Sequence, residues 1–149
     1  MKIAIASDHA GFEEKERLKP LLNELGIEFE DLGTISTESV DYPDYARKVA
    51  EEVAQGKVDQ GLLVCGSGTG MAIAANKVPG VRAAMCYDVT TAQNAREHNN
   101  ANVLTLGGGL IGSRLALAIV ETFLATGFGG GRHAGRVAKI DALDAPRPR

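Results

Sequence analysis

Short runs of apolar and β-branched residues recur along the chain, at Lys2 to Ala6, Ile27 to Leu32, Gly61 to Cys65, Val81 to Cys86 and Val103 to Leu106. Each has the length of a strand, and the stretches between them carry apolar residues three and four positions apart. Tyr45, Val49 and Val53 follow the start signal Asp41-Tyr42-Pro43, and Leu115, Ile119, Val120 and Phe123 precede a stop at Gly127. Leu18, Leu21, Leu22 and Leu25 keep one helical face, but Pro20 removes a backbone donor among them, so a kink or an offset first turn is expected there. Strands alternating with helices predict an α/β fold: a five-stranded parallel sheet with helices on both faces.

No internal repeat is visible. After Leu124 the chain turns through Gly127-Phe128-Gly129-Gly130-Gly131, and too few residues follow to bury a second core. Residues 1–149 are therefore expected to form one domain. A tail helix over about 132–144 is expected to reach toward a partner, and the proline- and arginine-rich last residues to fray.

Composition narrows the function. The 149 residues are 44% hydrophobic, and 16 Lys plus Arg against 19 Asp plus Glu leave a net charge of −3. With no long basic run, a protein that coats nucleic acid or an anionic membrane is disfavoured. Apolar stretches such as Leu115 to Val120 are too short to cross a bilayer, and the N-terminal apolar run breaks at Asp8 before a signal-peptide core develops. A soluble, cytoplasmic protein is the expectation. Cys65 and Cys86 form no CxxC pair and the three histidines lie far apart, so neither a disulfide framework nor a metal-ligand spacing appears.

In an open parallel sheet, ligands bind beyond the carboxyl ends of the strands, near the point where strand order reverses. The first strand ends in Ser7-Asp8-His9-Ala10-Gly11, where Asp8 reads equally as a functional carboxylate or as a helix N-cap. The third ends in Cys65-Gly66-Ser67-Gly68-Thr69-Gly70. Three glycines in five residues let backbone amides approach a bound anion, whether a phosphate, a dinucleotide or a developing oxyanion. The dinucleotide pattern G-x-G-x-x-G started at Gly66 meets Met71 where it needs glycine, and the ATP-type loop has no match. A cysteine phosphatase would need arginine at that same position.

What remains is a thiol beside an amide cage with the hydroxyls of Ser67 and Thr69. A cysteine near a helix N-terminus can accept a proton at neutral pH, and amides placed in advance can hold the enediolate left by proton abstraction beside a carbonyl, one such donor contributing roughly 3 kcal/mol. The plainer reading makes Cys65 a small buried residue ending a strand, as for Cys86. His98 near the end of a helix reads as a cap on the macrodipole. Arg132 and Arg136, four apart, face one way on a helix and could grip a phosphate, or form a solvated basic face. An isomerase, a phosphometabolite-binding module without chemistry, and a subunit whose site a different chain completes all stay open.

The chain resembles the ribose-5-phosphate isomerase B family, within the group that includes galactose-6-phosphate isomerase subunits. The likeness rests on Ser-Asp-His-Ala-Gly at 7–11, Asp-Leu-Gly-Thr at 31–34, Asp-Tyr-Pro at 41–43, Cys-Gly-Ser-Gly-Thr-Gly at 65–70 and Ala-Ala-Asn-Lys at 74–77. It continues through Arg-Glu-His-Asn at 96–99 and Gly-Gly-Arg-His with Arg-Val at 130–137. The resemblance implies a Rossmann-like, three-layer α/β/α subunit, and a homodimer or dimer of dimers with sites shared between subunits. It also implies interconversion of aldose and ketose phosphates, ribose 5-phosphate to ribulose 5-phosphate first among them, without metal or cofactor.

Carried over residue by residue, the resemblance implies Cys65 as the base, Ser67 as a proton shuttle between oxygens, and the amides of Gly66, Gly68, Thr69 and Gly70 as the anion hole. It places Asp8 and His98 at opening of the sugar ring, with His98 and Asn99 arriving from the partner. Tyr42 falls near the sugar hydroxyls, and His9, Arg132 and Arg136 on the phosphate side. One position departs from the pattern: where many members carry an arginine after the fifth strand, this chain has Gly109, and its next arginine is Arg114. A tetrose or hexose phosphate is the alternative substrate.

Overall fold

The computed structural model describes residues 1–144, so the fraying expected at the extreme C-terminus lies outside the described residues. In chain order the elements are β1 (Lys2–Ser7), α1 (Phe12–Glu24), β2 (Glu28–Asp31), α2 (Tyr42–Ala54), β3 (Gln60–Cys65), α3 (Thr69–Ala75), β4 (Ala83–Met85), α4 (Val89–Glu97), β5 (Val103–Gly107), α5 (Ser113–Ala125) and α6 (Arg132–Ala142). All five strands pair in parallel, in the order β2-β1-β3-β5-β4. The chain leaves β1 to one side for β2 and returns to the other for β3, so strand order reverses between β1 and β3. The fold is the expected three-layer α/β/α arrangement.

Alternation along the central strands divides the core in two. Ile3, Ile5, Leu62, Val64, Leu104 and Leu106 face α1, α4 and α5. Ala4, Ala6, Leu63, Cys65 and Val103 face α2 and α3. Each large aliphatic side chain fully buried this way contributes about 1.5–3 kcal/mol, which is why β3, buried along its whole length, anchors the sheet.

Local expectations fared unevenly. The α1 helix continues through Pro20, which contributes no amide hydrogen bond there, while Leu18 and Leu22 stay fully buried. Asp41 and Pro43 start α2 as read from sequence. On α5 the buried stripe is Ala116, Ile119, Val120 and Phe123, whereas Leu115 is partly exposed. The β4 strand shrinks to three residues at the sheet edge, where only β5 offers a pairing partner.

A charged network fastens α1 to β2. Lys15 is 1% exposed, and its Nζ donates to both oxygens of Asp31 at 2.7 and 2.8 Å and to the carbonyl of Thr34 at 2.8 Å. Lys19 adds a further contact to Asp31 at 2.7 Å. Burial pushes the Asp31 carboxyl up, but hydrogen bonds from Lys15, Lys19 and the Gly33 amide outweigh it and hold the group below the ordinary carboxylate value. Because the Thr34 amide donates to the Ser7 carbonyl at 2.9 Å, this network also supports the end of β1.

Candidate active site

The loops after β1 and β3 meet at the reversal point. The Asp8 amide donates to the Val64 carbonyl at 3.2 Å. Asp8 Oδ1 accepts the Gly11 amide at 3.0 Å. The N-cap of α1 is Gly11 rather than Asp8, so the carboxylate braces the turn ahead of the helix instead of capping it. A side chain at Gly11 would stand 2.3 Å from the Val64 carbonyl oxygen, and this close approach requires glycine. Nδ1 of His9 accepts the Val40 amide at 3.1 Å, which leaves Nε2 to carry the proton of the neutral ring.

Cys65 ends β3 with its side chain on the α2 and α3 face. It is 4% exposed, yet its sulfur is not embedded in hydrocarbon alone: Sγ accepts the Gly68 amide at 3.1 Å. A backbone amide is thus aimed at the sulfur just ahead of α3. Gly68 has φ +80° and its carbonyl accepts the Thr105 hydroxyl at 2.8 Å, which holds the loop in the left-handed bend that turns its amide toward the sulfur. Ser67 and Thr69 are exposed at the rim; Ser67 Oγ accepts the Thr69 amide at 3.3 Å. The Tyr42 ring lies across Gly70, since a Cβ there would stand 2.7 Å from it. Asp8, His9, Tyr42, Cys65, Gly66, Ser67, Gly68, Thr69 and Gly70 thus lie on adjoining segments at the carboxyl end of the sheet, after β1 and β3 and at the start of α2. Cys86 makes an instructive contrast: it is buried at the end of β4, and burial pushes its thiol up to about 11, the behaviour of an inert structural cysteine.

The loop after β5 backs the glycine turn. Gly108 and Gly109 donate amides to the carbonyls of Cys65 and Gly66 at 2.8 and 3.0 Å. A Cβ on Gly109 would stand 3.1 Å from the Gly66 oxygen, so a larger residue would press on the anion loop.

His98, Asn99, Arg132 and Arg136 do not join these residues within the subunit. His98 caps the C-terminus of α4, ahead of β5, whereas Cys65 follows β3. Gly61 pairs with Val103 and Cys65 with Gly107, so the two ends of the sheet are separated by roughly 13 Å of strand. The signal was present in the sequence, because in a parallel sheet residues that end strands and residues that end helices lie at opposite ends.

Arg96 builds the second region. It is buried, donates to the Thr126, Ala101 and Asn100 oxygens, and lies over the Phe123 ring. Its hydrogen bonds join the end of α4 to the end of α5, and the Glu97 carbonyl accepts the Gly129 amide at 2.9 Å. The tail helix also packs on its own subunit: Val137 is buried, Arg82 pairs with Asp141 at 2.9 Å, and Asp144 accepts the Gly80 amide at 2.8 Å. These contacts hold α6 on its own subunit, with Arg132 and Arg136 exposed. The sequence reading passed over His133, whose ring stacks on His98 at 4.5 Å between centroids; the only hint was its place in the Gly-Gly-Arg-His run.

Open grooves flank both regions. One of about 670 Å³ runs along α2 past Asp41, Tyr45 and Lys48, and one of about 610 Å³ lies between α6 and the start of β4 beside Asn99. Among the described residues no helix is long and apolar enough to cross a membrane.

A thiol, a carboxylate and an amide loop thus lie together at the strand-order reversal. The sequence profile of the ribose/galactose isomerase family matches residues 3–140. The chain belongs to that family. It is 47% identical over 146 residues, 98% of each chain, to ribose-5-phosphate isomerase B of Escherichia coli. It is also 42% identical to D-erythrulose-4-phosphate isomerase of Pectobacterium atrosepticum, over 94% of this chain and 93% of that one. A solved structure of ribose-5-phosphate isomerase B from Clostridium thermocellum superposes with a TM-score of 0.95 at 51% identity, covering 97% of both chains. The chain is an aldose–ketose isomerase, and the resemblance read from its motifs extends over nearly its whole length.

Proposed function

We propose that the enzyme interconverts ribose 5-phosphate and ribulose 5-phosphate, with Cys65 as the base. The observation that carries this reading is the Cys65 sulfur, held at the strand-order reversal and facing the Gly68 amide at 3.1 Å. In the forward direction Asp8 and His98 of the partner subunit open the furanose, which otherwise offers no carbonyl to acidify its α-proton. The Cys65 thiolate then takes the proton from C2 of the open aldose. The C–H electrons form the C1–C2 double bond, and the carbonyl pair moves onto O1, where the amides of Gly66 to Gly70 hold the charge. Ser67 passes the O2 proton to O1, and the thiol returns its proton to C1 to give the ketose. Tyr42 borders the sugar hydroxyls, and His9 with Arg132 and Arg136 of the partner subunit take the phosphate.

Two observations support a dimer with shared sites. His98, Asn99, Arg132 and Arg136 stand at the wrong end of the sheet to serve their own Cys65. Ile73, Met85, Tyr87, Val89 and Leu110 are between 39% and 73% exposed on α3, β4, α4 and the loop after β5, around the free sheet edge. Such an apolar edge fits a second copy better than water. Two dimers pairing further would give the larger assembly. Because a phosphorylated sugar does not cross membranes unaided, we place the reaction in the cytoplasm, within pentose phosphate metabolism.

A second reading, favoured by Gly109, is a substrate of different length: the missing side chain leaves the loop behind Gly66 without a cation, and a tetrose phosphate is the first candidate, ahead of a hexose phosphate. Purified protein offered four-, five- and six-carbon aldose phosphates in D2O is expected to incorporate deuterium with ribose 5-phosphate. Exchange with another chain length alone would reassign the substrate. No exchange with any sugar would favour a binding module or a subunit needing a different chain.

A further inference from the structure

We propose that His133 is a positioning residue for His98: its ring sets the plane of the His98 imidazole and presents it with an uncharged neighbour. This rests on the reading of His98 as a group that opens the sugar ring. The two rings lie 4.5 Å apart between centroids at an interplanar angle of 18°, a face-to-face stack spanning α4 and α6. His98 is the C-cap of α4 and half-buried, and without a neighbouring ring its imidazole would sample several rotamers. Both neighbouring helices are anchored, α4 through Arg96 and α6 through Arg82–Asp141, so the stack forms between fixed backbones.

Charge decides which ring takes the proton. Two stacked imidazolium ions repel, whereas one cation on a neutral aromatic face is favourable. The groups around the pair are Arg132 and Arg136 on α6 and Glu97 on α4; Arg96 is turned away into its own hydrogen bonds. Burial against α4, then the charges of His98, Arg132 and Arg136, hold His133 below the ordinary histidine value, with Glu97 opposing. His133 is therefore the member of the pair held toward its neutral form.

The test uses His133→Ala and His133→Phe in the full-length protein, with folding checked by circular dichroism. Alanine removes ring and charge; phenylalanine keeps a stacking ring that takes no proton. Measured as kcat/KM for ribose 5-phosphate across pH, His133→Ala is expected to lose about tenfold at pH 7.5, as a misplaced catalytic group does. His133→Phe should stay within about twofold, since the plane of His98 is preserved, and should retain a larger fraction of its activity than wild type on the acid side. In parallel, the His133 imidazole is titrated by 15N NMR in wild type and in His98→Asn; its midpoint should rise when its stacked neighbour can no longer carry charge. Equal losses in both His133 variants with unchanged pH profiles, or a His133 titration indifferent to His98→Asn, would overturn the proposal. The titration needs no substrate, so a wild-type protein without isomerase activity would refute the assigned reaction while the coupling of the rings is still decided.

Discussion

The two functional regions of this subunit are built in opposite ways. Around Cys65 the backbone does most of the work: glycine amides, a left-handed bend at Gly68 and the close approach of Gly11 to β3 place donors that cannot rotate away. Around His98 the work falls to side chains, with Arg96 tying two helix ends together and His133 stacked on the imidazole. The first arrangement suits a charge that develops at one fixed point, because preorganised dipoles need no rearrangement when it appears. The second suits gripping and releasing a substrate, since the exposed side chains of Arg132 and Arg136 reorient cheaply. The proposed site, with one region from each subunit, would combine a rigid floor with an adjustable cover.

The sharpest way to break this contrast is Cys65→Ala. It should fold with wild-type thermal stability to within a few degrees and lose isomerisation by at least about 10³-fold, the upper range for a positioned base. Wild-type-like turnover would remove the rigid region's chemistry altogether.

Next in size is the support beneath that region. Lys15→Ala leaves the partly buried Asp31 with Lys19 as its remaining cation beside the Gly33 amide and frees the Thr34 carbonyl, and it should cost about 3 kcal/mol in urea unfolding. Because Thr34 bonds to the backbone of Ser7, the variant should also weaken substrate binding at Asp8, read as a raised KM.

The mobile region is tested by His98→Asn, expected to lower kcat by about 10²-fold. Mixing this variant with Cys65→Ala, after unfolding and refolding together, should restore about a quarter of wild-type activity, because half the dimers are hybrids with one intact site. If mixing restores nothing, the two regions do not meet across a dimer.

The smallest effect concerns pH. Asp31 has its carboxyl held below the value of 3.8 it has when unfolded, so between those values the unfolded chain binds more protons than the native one. Its stabilisation is present above about pH 4 and is lost as pH falls through the lowered value. Urea midpoints of the wild type should fall on acidification in that range, and Asp31→Asn should flatten the fall.

The glycine loop at Cys65, the start of α2 and the alternation of strands were legible because each depends on residues a few positions apart. Pro20 was legible only as a local disturbance: the helix continues past it because burial of Leu18 and Leu22 against the sheet holds the flanking turns. Asp8 was half legible, with its carboxylate in a turn as foreseen but bracing Gly11 from three residues away. The stack of His98 on His133 left almost no trace, since no spacing rule links positions 35 residues apart.

The order of residues alone settled which segments become strands, that the strands run parallel between helices, and that a thiol sits at a glycine-rich turn, because these follow from periodicity and backbone sterics over short stretches. Only the packed subunit decided which chemical groups share an end of the sheet, which histidines touch, and that the tail helix clasps its own body. Those outcomes are set by long-range burial and ion pairing, which add many weak contacts between distant parts of the chain and are therefore invisible in any short window of it.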